Sequence, residues 1–490
     1  MHESSTQYKK NSKEKTDLFF KITNDYVSKF CRISSFTKNS LILIFYHELA
    51  YFYTTTIARN EILKYRQRKK NASTIKLTEF MDEEIRFGWR NGKSLFEKIN
   101  KKEKINLKRR ILSFIFSLGL KSSNSKKLYI GDLSINNLSI FIRAYLKGYK
   151  TRYLENNRVY IDRTDQQIKL FYEYINTIHK QIHIEYDKKK LENDIEYSFS
   201  SILTNDITKT PKYSKKDIII IGSPGKFYNR IASVNAYASG AKVIGVLHAD
   251  ESGSNSLRSW QFDDRSFSHS LIGYGEYGNY YKYKNEIFLS VDKIKQTYIE
   301  SDSDVVARIY NSNKKIKTLD SNLQQKGLYI SLRINENSFL NPEDILDQRD
   351  YVEWQKYLLK NNNKLEIKIH PKQKKDFIKY ENKKIYGNLI ECINDYDYFV
   401  LDYAGSTTFS QIAATNKPII YYDIGLSNFT ELGLKYIKNR VIYCKVDINN
   451  NYIGFKNYIA CDEQKVNFFS EHFSLSKERK SRIDALFSII

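Results

Sequence analysis

Residues 217–251 read DIIIIGSPGKFYNRIASVNAYASGAKVIGVLHADE, and this stretch decides the fold class. The run DIIII is apolar and β-branched and ends in the turn residues GSPG, as a buried strand of a parallel sheet does. A helical segment follows and ends at Gly240, where a glycine cap is expected. The run AKVIGVL then forms a second buried strand. Strand, helix and strand in this order predict a βαβ unit and a parallel sheet.

The same alternation occurs on both sides of this unit. Upstream, strand, helix and strand are predicted for KKLYIGD, LSIFIRAYLKGY and KTRYLE at 126–155, and 163–205 is predicted to hold long helices and a linker. Downstream, strands are predicted for GLYISLR, KLEIKIHP, DYDYFVLDYAGS and KPIIYYD, with helices at 342–360 and 407–416. The polar segment 301–326 lacks strong periodicity and is predicted to be a linker. We therefore expect an α/β protein with two Rossmann-type domains, at 126–300 and 327–470.

The first 125 residues are predicted to be helical, because they show helical periodicity with little Gly and no Pro. Their most apolar window, LILIFYHELAYFY at 41–53, is shorter than a membrane span and contains His47 and Glu48, so we expect a buried helix. LKRRILSFIFSLGLK at 107–121 fits equally a membrane-interface helix and a core helix with basic flanks. The polar start of the chain predicts no secretory signal and a cytoplasmic location. A helix at 471–490 is expected to return to the first domain.

The balance of charge is strongly basic: 80 Lys and Arg residues against 56 Asp and Glu residues give a net charge of +24. Such a charge attracts polyanions, among them anionic lipid, acidic glycans and nucleic acid. The basic residues are spread along the chain without a nucleic-acid-binding motif, so a nucleic-acid partner is not expected. Four cysteines without a C-x-x-C pair predict neither a zinc site nor a disulfide framework.

Ligands of open parallel sheets bind beyond the carboxyl ends of the strands, and polar residues there are the candidate site residues. In the first domain, Ser223 and Gly225 lie in the turn after DIIII and are candidates for acceptor binding. His248, Asp250 and Glu251 follow the next strand, where a base is needed to deprotonate an acceptor hydroxyl. The alternative for these groups is a loop cap with a surface ion pair.

In the second domain, two strand ends carry candidate anion-binding groups. His370 and Pro371 follow KLEIKI, where the imidazole can donate to a phosphate and Lys368 adds positive charge; a simple turn is the alternative. After YFVLDY, a helix is predicted to begin beside a run of small and hydroxyl residues. Their N–H and O–H groups suit a phosphate, and an ordinary N-cap is the alternative. The run consists of Gly405, Ser406, Thr407 and Thr408.

His370-Pro371 followed by DYAGST at 402–407 and AATNKPIIYYD at 413–423 resembles the C-terminal domain of bacterial surface-polysaccharide transferases. These GT-B-like families include sialyl- and polysialyltransferases, Kdo-transferring capsule and lipopolysaccharide enzymes, and CDP-glycerol glycerophosphotransferases. The resemblance implies a GT-B-like architecture and nucleotide phosphates bound by His370, Ser406 and Thr407. The N-terminal sequence HADESG at 248–253 copies neither the acidic pair with Gly of the sialyltransferase-like members nor the His-Gly of the glycerophosphotransferases. The base therefore remains open among Asp250, Glu251 and His248.

The resemblance further implies an enzyme that transfers a nucleotide-activated sugar, and we expect it to use neither a metal ion nor another cofactor. It favours a CMP-activated acidic sugar of the Kdo or nonulosonic type, used to build lipopolysaccharide or capsule. A CDP-alditol or a nucleotide-diphosphate sugar is the alternative within the class, and a basic nucleic-acid-binding protein or an inactive interaction protein lies outside it. The expected partners are the donor, a glycan or lipid-linked acceptor, and the anionic inner face of the bacterial inner membrane.

Overall fold

The computed structural model describes most of the two predicted domains and part of the N-terminal region. The described residues are 5–31, 40–68, 89–90, 93–94, 126–131, 137–154, 165–184, 186–203, 213–223, 226–247, 265–275, 279, 296–312, 325–332, 348–371, 373, 381–427, 429–448, 450–457 and 475–490.

From residue 127 onwards the described elements are short strands and helices in mixed order. The helices are α1 (Ser5–Cys31), α2 (Ser40–Ile44), α3 (Tyr46–Arg68), α4 (Asn137–Leu146), α5 (Asp165–Ile182), α6 (Lys188–Leu203), α7 (Phe227–Ala238), α8 (Asp304–Ser312), α9 (Gln348–Lys360), α10 (Leu389–Cys392), α11 (Thr407–Ala413), α12 (Glu431–Arg440) and α13 (Arg482–Phe487). The strands are β1 (Trp89–Arg90), β2 (Lys93–Ser94), β3 (Lys127–Ile130), β4 (Lys150–Tyr153), β5 (Ile218–Ile221), β6 (Lys242–Val246), β7 (Ser270–Tyr274), β8 (Thr297–Ser301), β9 (Gly327–Ile330), β10 (Glu366–Lys368), β11 (Lys384–Ile385), β12 (Tyr398–Leu401), β13 (Ile419–Asp423) and β14 (Ile442–Lys445).

Twelve of these strands form two separate parallel sheets of six strands. The first sheet has the order β4-β3-β5-β6-β7-β8, and the second has the order β11-β10-β9-β12-β13-β14. Every neighbouring pair in both sheets is parallel. The chain is therefore an α/β protein with two Rossmann-like sheets, which confirms the fold class at this level.

The βαβ unit at 217–251 forms as its sequence predicts. β5 and β6 are neighbours, with Ile219 opposite Val243, and α7 connects them. The connection requires a tight end to α7, and Gly240 supplies it with a φ of +73°. The Gly240 N–H donates to the carbonyl of Tyr237, and the Ala241 N–H to that of Ala236. These two bonds are the Schellman arrangement, which satisfies carbonyls at the end of a helix.

The N-terminal helices pack into the first domain. Phe19 of α1 and Phe45, between α2 and α3, share one buried core with Phe171 of α5 and Phe227 of α7. A buried ion pair strengthens this packing: Arg230 of α7 donates to a Glu48 carboxylate oxygen at 2.5 Å. The apolar window 41–53 is thus a buried helical segment, as predicted, and helices α1 to α3 belong to the first domain's core. The candidate membrane segment 107–121 lies outside the described residues, and no described helix is long and apolar enough to cross a bilayer.

Two further helices, α13 and α8, each pack in the core of one domain. Helix α13 covers one face of the first sheet, where Leu486 is buried with Leu128 of β3 and Ile220 of β5. The chain thus returns to the first domain after the second, as expected for 471–490. The expected linker at 301–326 contains helix α8, whose buried face is Val306, Ile309 and Tyr310. That face packs in the second domain's core. The three apolar residues stabilise a helix there, although the polar composition of the segment had predicted a linker.

Candidate functional site

The second sheet has one crossover, where the direction of strand addition reverses. Its order counts as 3-2-1-4-5-6 along the chain, and the crossover lies between neighbouring strands β9 and β12. In open α/β sheets the crevice beyond the carboxyl ends of two such strands is the usual ligand position. Ser331 follows β9 there, and Asp402 follows β12. His370 lies two residues beyond β10, the strand that pairs with β9 on its other side.

The loop after β12 leads into helix α11 and contains the run 405–408. Gly405 is buried, Ser406 and Thr408 are half-buried, and Thr407 is exposed. Ser406 is the N-cap residue by its extended backbone, but its side chain makes no capping hydrogen bond. By contrast, the Thr430 and Ser481 side chains cap α12 and α13. The alternative of an ordinary N-cap bond at Ser406 is therefore not what the structure contains.

The three candidates at the end of β10 occupy different environments. His370 is half-buried and its carbonyl accepts from the Gln373 N–H at 2.9 Å, so it begins a turn, and Pro371 is exposed. Lys368 is buried, and its ammonium donates to the Gly387 carbonyl at 2.6 Å and to the Ile369 carbonyl at 3.2 Å. Burial lowers the pKa of the Lys368 ammonium. Its charge is engaged with the backbone between β10 and α10, so His370 is the stronger candidate for contact with a ligand.

Asp402 is the centre of a buried polar network beneath the crossover. Its carboxylate accepts from the Tyr329 hydroxyl at 2.5 Å and the Trp354 indole N–H at 3.0 Å. The Tyr351 hydroxyl donates to the second oxygen at 3.3 Å. Tyr351 in turn accepts from the Leu332 N–H at 2.9 Å, so the network also holds the residues that follow β9. Burial raises the pKa of the Asp402 carboxyl to about 6, and the hydrogen bonds oppose that shift.

A buried arginine fixes the other end of α11. The Arg440 guanidinium of α12 donates to the Ala413 carbonyl at 3.0 Å and to the Thr415 carbonyl at 2.8 Å. A third bond of 3.0 Å reaches the Lys417 carbonyl. Burial lowers the pKa of Arg440 to about 9. Because this cation satisfies carbonyls that a helix end leaves unpaired, it holds α11 and the following turn in one position.

In the first sheet the crossover lies between β3 and β5, and Ser223 follows β5 at that point. The Ser223 carbonyl accepts from the Asn229 side-chain amide at 3.2 Å and from the Lys226 N–H at 3.1 Å, so the turn is fastened to α7. Gly131, after β3, has no room for a side chain, because a Cβ there would lie 2.8 Å from the Asn229 oxygen. The end of β3 therefore lies close against α7. Gly225, His248, Asp250 and Glu251 lie outside the described residues, and their roles remain predictions.

Two Asp-x-Asp triplets, at 302–304 and 395–397, have a spacing that can suit a divalent cation. Asp302 instead accepts from the Ser476 N–H and hydroxyl, and Asp304 pairs with Arg482. Asp397 accepts from the Lys326 N–H and precedes β12, at the edge opposite the candidate site. No cluster of three or more His, Cys, Asp or Glu residues that could hold a metal occurs in the described part of the chain.

The sequence motif contained Asp402 but gave no reason to select it, since Asp after a strand is common. The pattern that could have indicated its role is the fully apolar strand YFVL followed directly by an acidic residue. An acid in that position is buried and needs hydrogen-bond donors from neighbouring elements, here β9 and α9. The sequence that follows β9, SLRINEN at 331–337, lacks the glycines of a dinucleotide fingerprint, so it does not predict a nicotinamide or flavin site. The chain matches no known protein-family model, and no curated protein is significantly similar to it in sequence.

Proposed function

We propose that this protein is a glycosyltransferase of the GT-B type that uses a nucleotide-activated sugar. Strand order supports the proposal most directly: His370 and the loop at 405–408 follow strands on either side of β9, at one edge of one sheet. That edge is where Rossmann-type sheets bind nucleotides. The return of α13 to the first sheet after the second domain also agrees with the two-domain arrangement of GT-B enzymes.

The proposed roles follow from the chemistry at the two sheets. His370 donates to the donor phosphate, and the Ser406 and Thr407 hydroxyls and N–H groups donate hydrogen bonds to the phosphate oxygens and so stabilise their negative charge. A base among His248, Asp250 and Glu251 removes the proton of an acceptor hydroxyl. The hydroxyl oxygen then bonds to the anomeric carbon while the bond from that carbon to the phosphate oxygen breaks. The nucleotide leaves with the bonding electron pair, and the phosphate-binding groups stabilise that charge.

The donor class comes from the resemblance of the motifs, which favours a CMP-activated acidic sugar over a CDP-alditol or a nucleotide-diphosphate sugar. The net charge of +24 suits an acidic donor and an anionic glycan acceptor. Lipopolysaccharide or capsule synthesis is the corresponding process. The described residues do not indicate which nucleobase the donor carries. The identity of the bound nucleotide is therefore the first property to measure.

A thermal-shift comparison of CMP, CDP, UDP and GDP tests the proposal. A nucleotide that binds the folded state at a hundredfold excess over Kd stabilises it by about 2.7 kcal/mol. We expect CMP to raise Tm in the wild type and to have little effect in His370→Ala. A matched control is Lys364→Met, which removes an exposed cation just before β10, at the opposite end of that strand from His370. Stabilisation by UDP or GDP alone would change the donor class, and no response to any nucleotide would reject the proposed site.

A further inference from the structure

Ser427 lies in the turn that follows β13, and its side chain contacts the neighbouring loop after β12. The Ser427 hydroxyl oxygen accepts a hydrogen bond from the Ala404 backbone N–H at 3.3 Å. The same oxygen lies 3.0 Å from the Tyr421 hydroxyl, with which it forms a second hydrogen bond. Because β12 and β13 are neighbours in the second sheet, Ser427 joins the chain segments that leave two adjacent strands.

The turn that contains Ser427 is itself fixed at several points. The Asp423 carboxylate accepts from the Gly425 N–H at 3.0 Å, and Gly425 has a φ of +81°, which glycine adopts without strain. Leu426 is fully buried in the core on the α9 side of the sheet. The Asp423 carbonyl accepts from the Val446 N–H at 2.9 Å, which connects the turn to the segment after β14. The Ser427 hydroxyl therefore extends from a fixed backbone.

Ala404 needs a hydrogen-bond acceptor because it is buried where the chain leaves the sheet. It is 1% exposed and packs in the same core as Tyr421, on the α11 side of the sheet. A buried backbone N–H that lacks an acceptor destabilises the conformation that buries it. The Ser427 oxygen supplies the acceptor, so it stabilises this position of the loop relative to others.

Ala404 lies one residue before the run 405–408, which is proposed to bind the donor phosphate. Two residues earlier, hydrogen bonds to the Asp402 carboxylate fix the start of the loop. At the other end of α11, Arg440 binds the last carbonyls of the helix. The bond from Ala404 to Ser427 lies between these two points and is next to the run itself.

We propose that Ser427 is a positioning residue that holds the loop at 402–408 in the conformation that binds the donor phosphate. It acts through Ala404 and does not contact the ligand. Donor groups that are already in position do not have to be ordered when a ligand arrives, so the ligand binds more tightly. If the loop adopts other positions, the apparent affinity falls with the fraction of molecules that retain the binding conformation. This role rests on the proposed function, which identifies the ligand.

The test is titration calorimetry of the wild type, Ser427→Ala and Ser427→Thr. The titrant is CMP, or whichever of the four nucleotides stabilises the wild type. Ser427→Ala should bind the nucleotide about fivefold more weakly, the factor that corresponds to the net contribution of one hydrogen bond. Ser427→Thr keeps the hydroxyl and should bind within about twofold of the wild type. Equal binding by all three proteins would overturn the proposal, as would equal losses in both variants.

Thr430→Ala is the matched control for a loss of stability alone. The Thr430 hydroxyl oxygen also accepts from a backbone N–H of the second domain, that of Gly433 at 2.9 Å. Both alanine variants should lower Tm to a similar extent, but Thr430→Ala should bind the nucleotide as the wild type does. Weaker binding in both variants would attribute the effect to general destabilisation and would overturn the role of Ser427.

Hydrogen exchange in the free protein separates this role from the proposed function. The Ala404 amide should exchange about fivefold faster or more in Ser427→Ala than in the wild type, and at the wild-type rate in Thr430→Ala. Unchanged exchange at Ala404 in Ser427→Ala would overturn the positioning role, whether or not a nucleotide binds. Faster exchange in a protein that binds none of the four nucleotides would reject the proposed function and leave the contact between Ser427 and the loop established.

Discussion

The Tyr329 hydroxyl of β9 donates a 2.5 Å hydrogen bond to the Asp402 carboxylate at the end of β12. The two residues belong to the adjacent strands between which the second sheet changes direction. Their bond joins the two strand ends below the position proposed for the donor phosphates. Because Trp354 of α9 shares the same carboxylate oxygen, one buried acid fixes three elements of the domain.

Removal of this acid should destabilise the second domain strongly. Asp402→Ala leaves the Tyr329 hydroxyl and the Trp354 N–H buried without an acceptor, and each loss costs about 1 to 3 kcal/mol. We expect the free energy of unfolding in urea to fall by about 3 kcal/mol or more. A change below about 1 kcal/mol would mean that the network contributes little.

The same carboxyl predicts a dependence of stability on pH. Its pKa is about 6 in the folded protein and near 4 in an unfolded chain. Between these values the folded state retains a proton that the unfolded state has released. The free energy of unfolding should therefore fall by about 2 to 3 kcal/mol as pH rises from about 4 to about 6. Asp402→Asn cannot titrate and should lack this part of the slope; an unchanged slope would contradict the assignment.

Ser406 and Thr430 offer a direct comparison between a site residue and an ordinary cap. The Thr430 hydroxyl oxygen accepts from the Gly433 N–H at 2.9 Å, so Thr430→Ala should cost about 1 kcal/mol. Ser406 makes no such bond, and Ser406→Ala should change stability by less than about 0.5 kcal/mol. Calorimetry with CMP should show the opposite ranking, with weaker binding in the Ser406 variant. Equal binding in both variants would remove Ser406 from the site.

The ion pair between Arg230 and Glu48 should hold the N-terminal helices on the first domain. Arg230 is fully buried, and its loss leaves a carboxylate without its partner, so Arg230→Met should cost about 3 to 5 kcal/mol. Arg143→Met breaks a pair whose side chains are about half exposed, and it should cost less than about 1 kcal/mol. Urea unfolding of both variants measures the difference. Similar costs would show that α1 to α3 do not depend on this pair.

Helix α13 should contribute to the first domain's stability although it follows the second domain in sequence. Leu486 is fully buried against the first sheet, so Leu486→Ala should cost about 2 to 5 kcal/mol. Leu146→Ala, at an exposed position, should change stability by about 0.5 kcal/mol or less. Hydrogen exchange should locate the loss of protection in β3 and β5 for the Leu486 variant. Loss confined to the second domain would contradict the packing.

Some strands and helices could be recognised from their own sequence, and others could not. Runs such as IIII in β5 and YFVL in β12 are recognisable because they are apolar along their whole length and end in turn residues. β7 reads SLIGY and β14 reads IYCK, and such short mixed runs become strands through the neighbours that bury them. Helix α8 could not be recognised in its polar segment, because it too is stabilised by the neighbours that bury its three apolar residues.

The polar contacts of the site join residues that are far apart in the sequence, and a single sequence does not show which distant residues meet. Tyr329 and Asp402 are 73 residues apart, and Arg230 and Glu48 are 182 apart. Local patterns placed His370, Ser406 and Thr407 at strand ends, which is a property of the segments themselves. They could not show that the Lys368 ammonium binds backbone carbonyls, because that depends on how β10 and α10 pack.

The return of α13 to the first sheet also affects how the protein folds while it is being synthesised. A nascent chain exposes the face of β3 and β5 that Leu486 covers until residues 482–487 have left the ribosome. The whole second domain is translated before that happens, so it can fold while the first domain is incomplete. Chaperones that recognise exposed apolar strands would meet this face during translation. Once the second domain has folded, contacts such as the one between Ser476 and Asp302 hold residues 475–490 close to the end of β8. Helix α13 then has a shorter distance to cover before it packs on the first sheet.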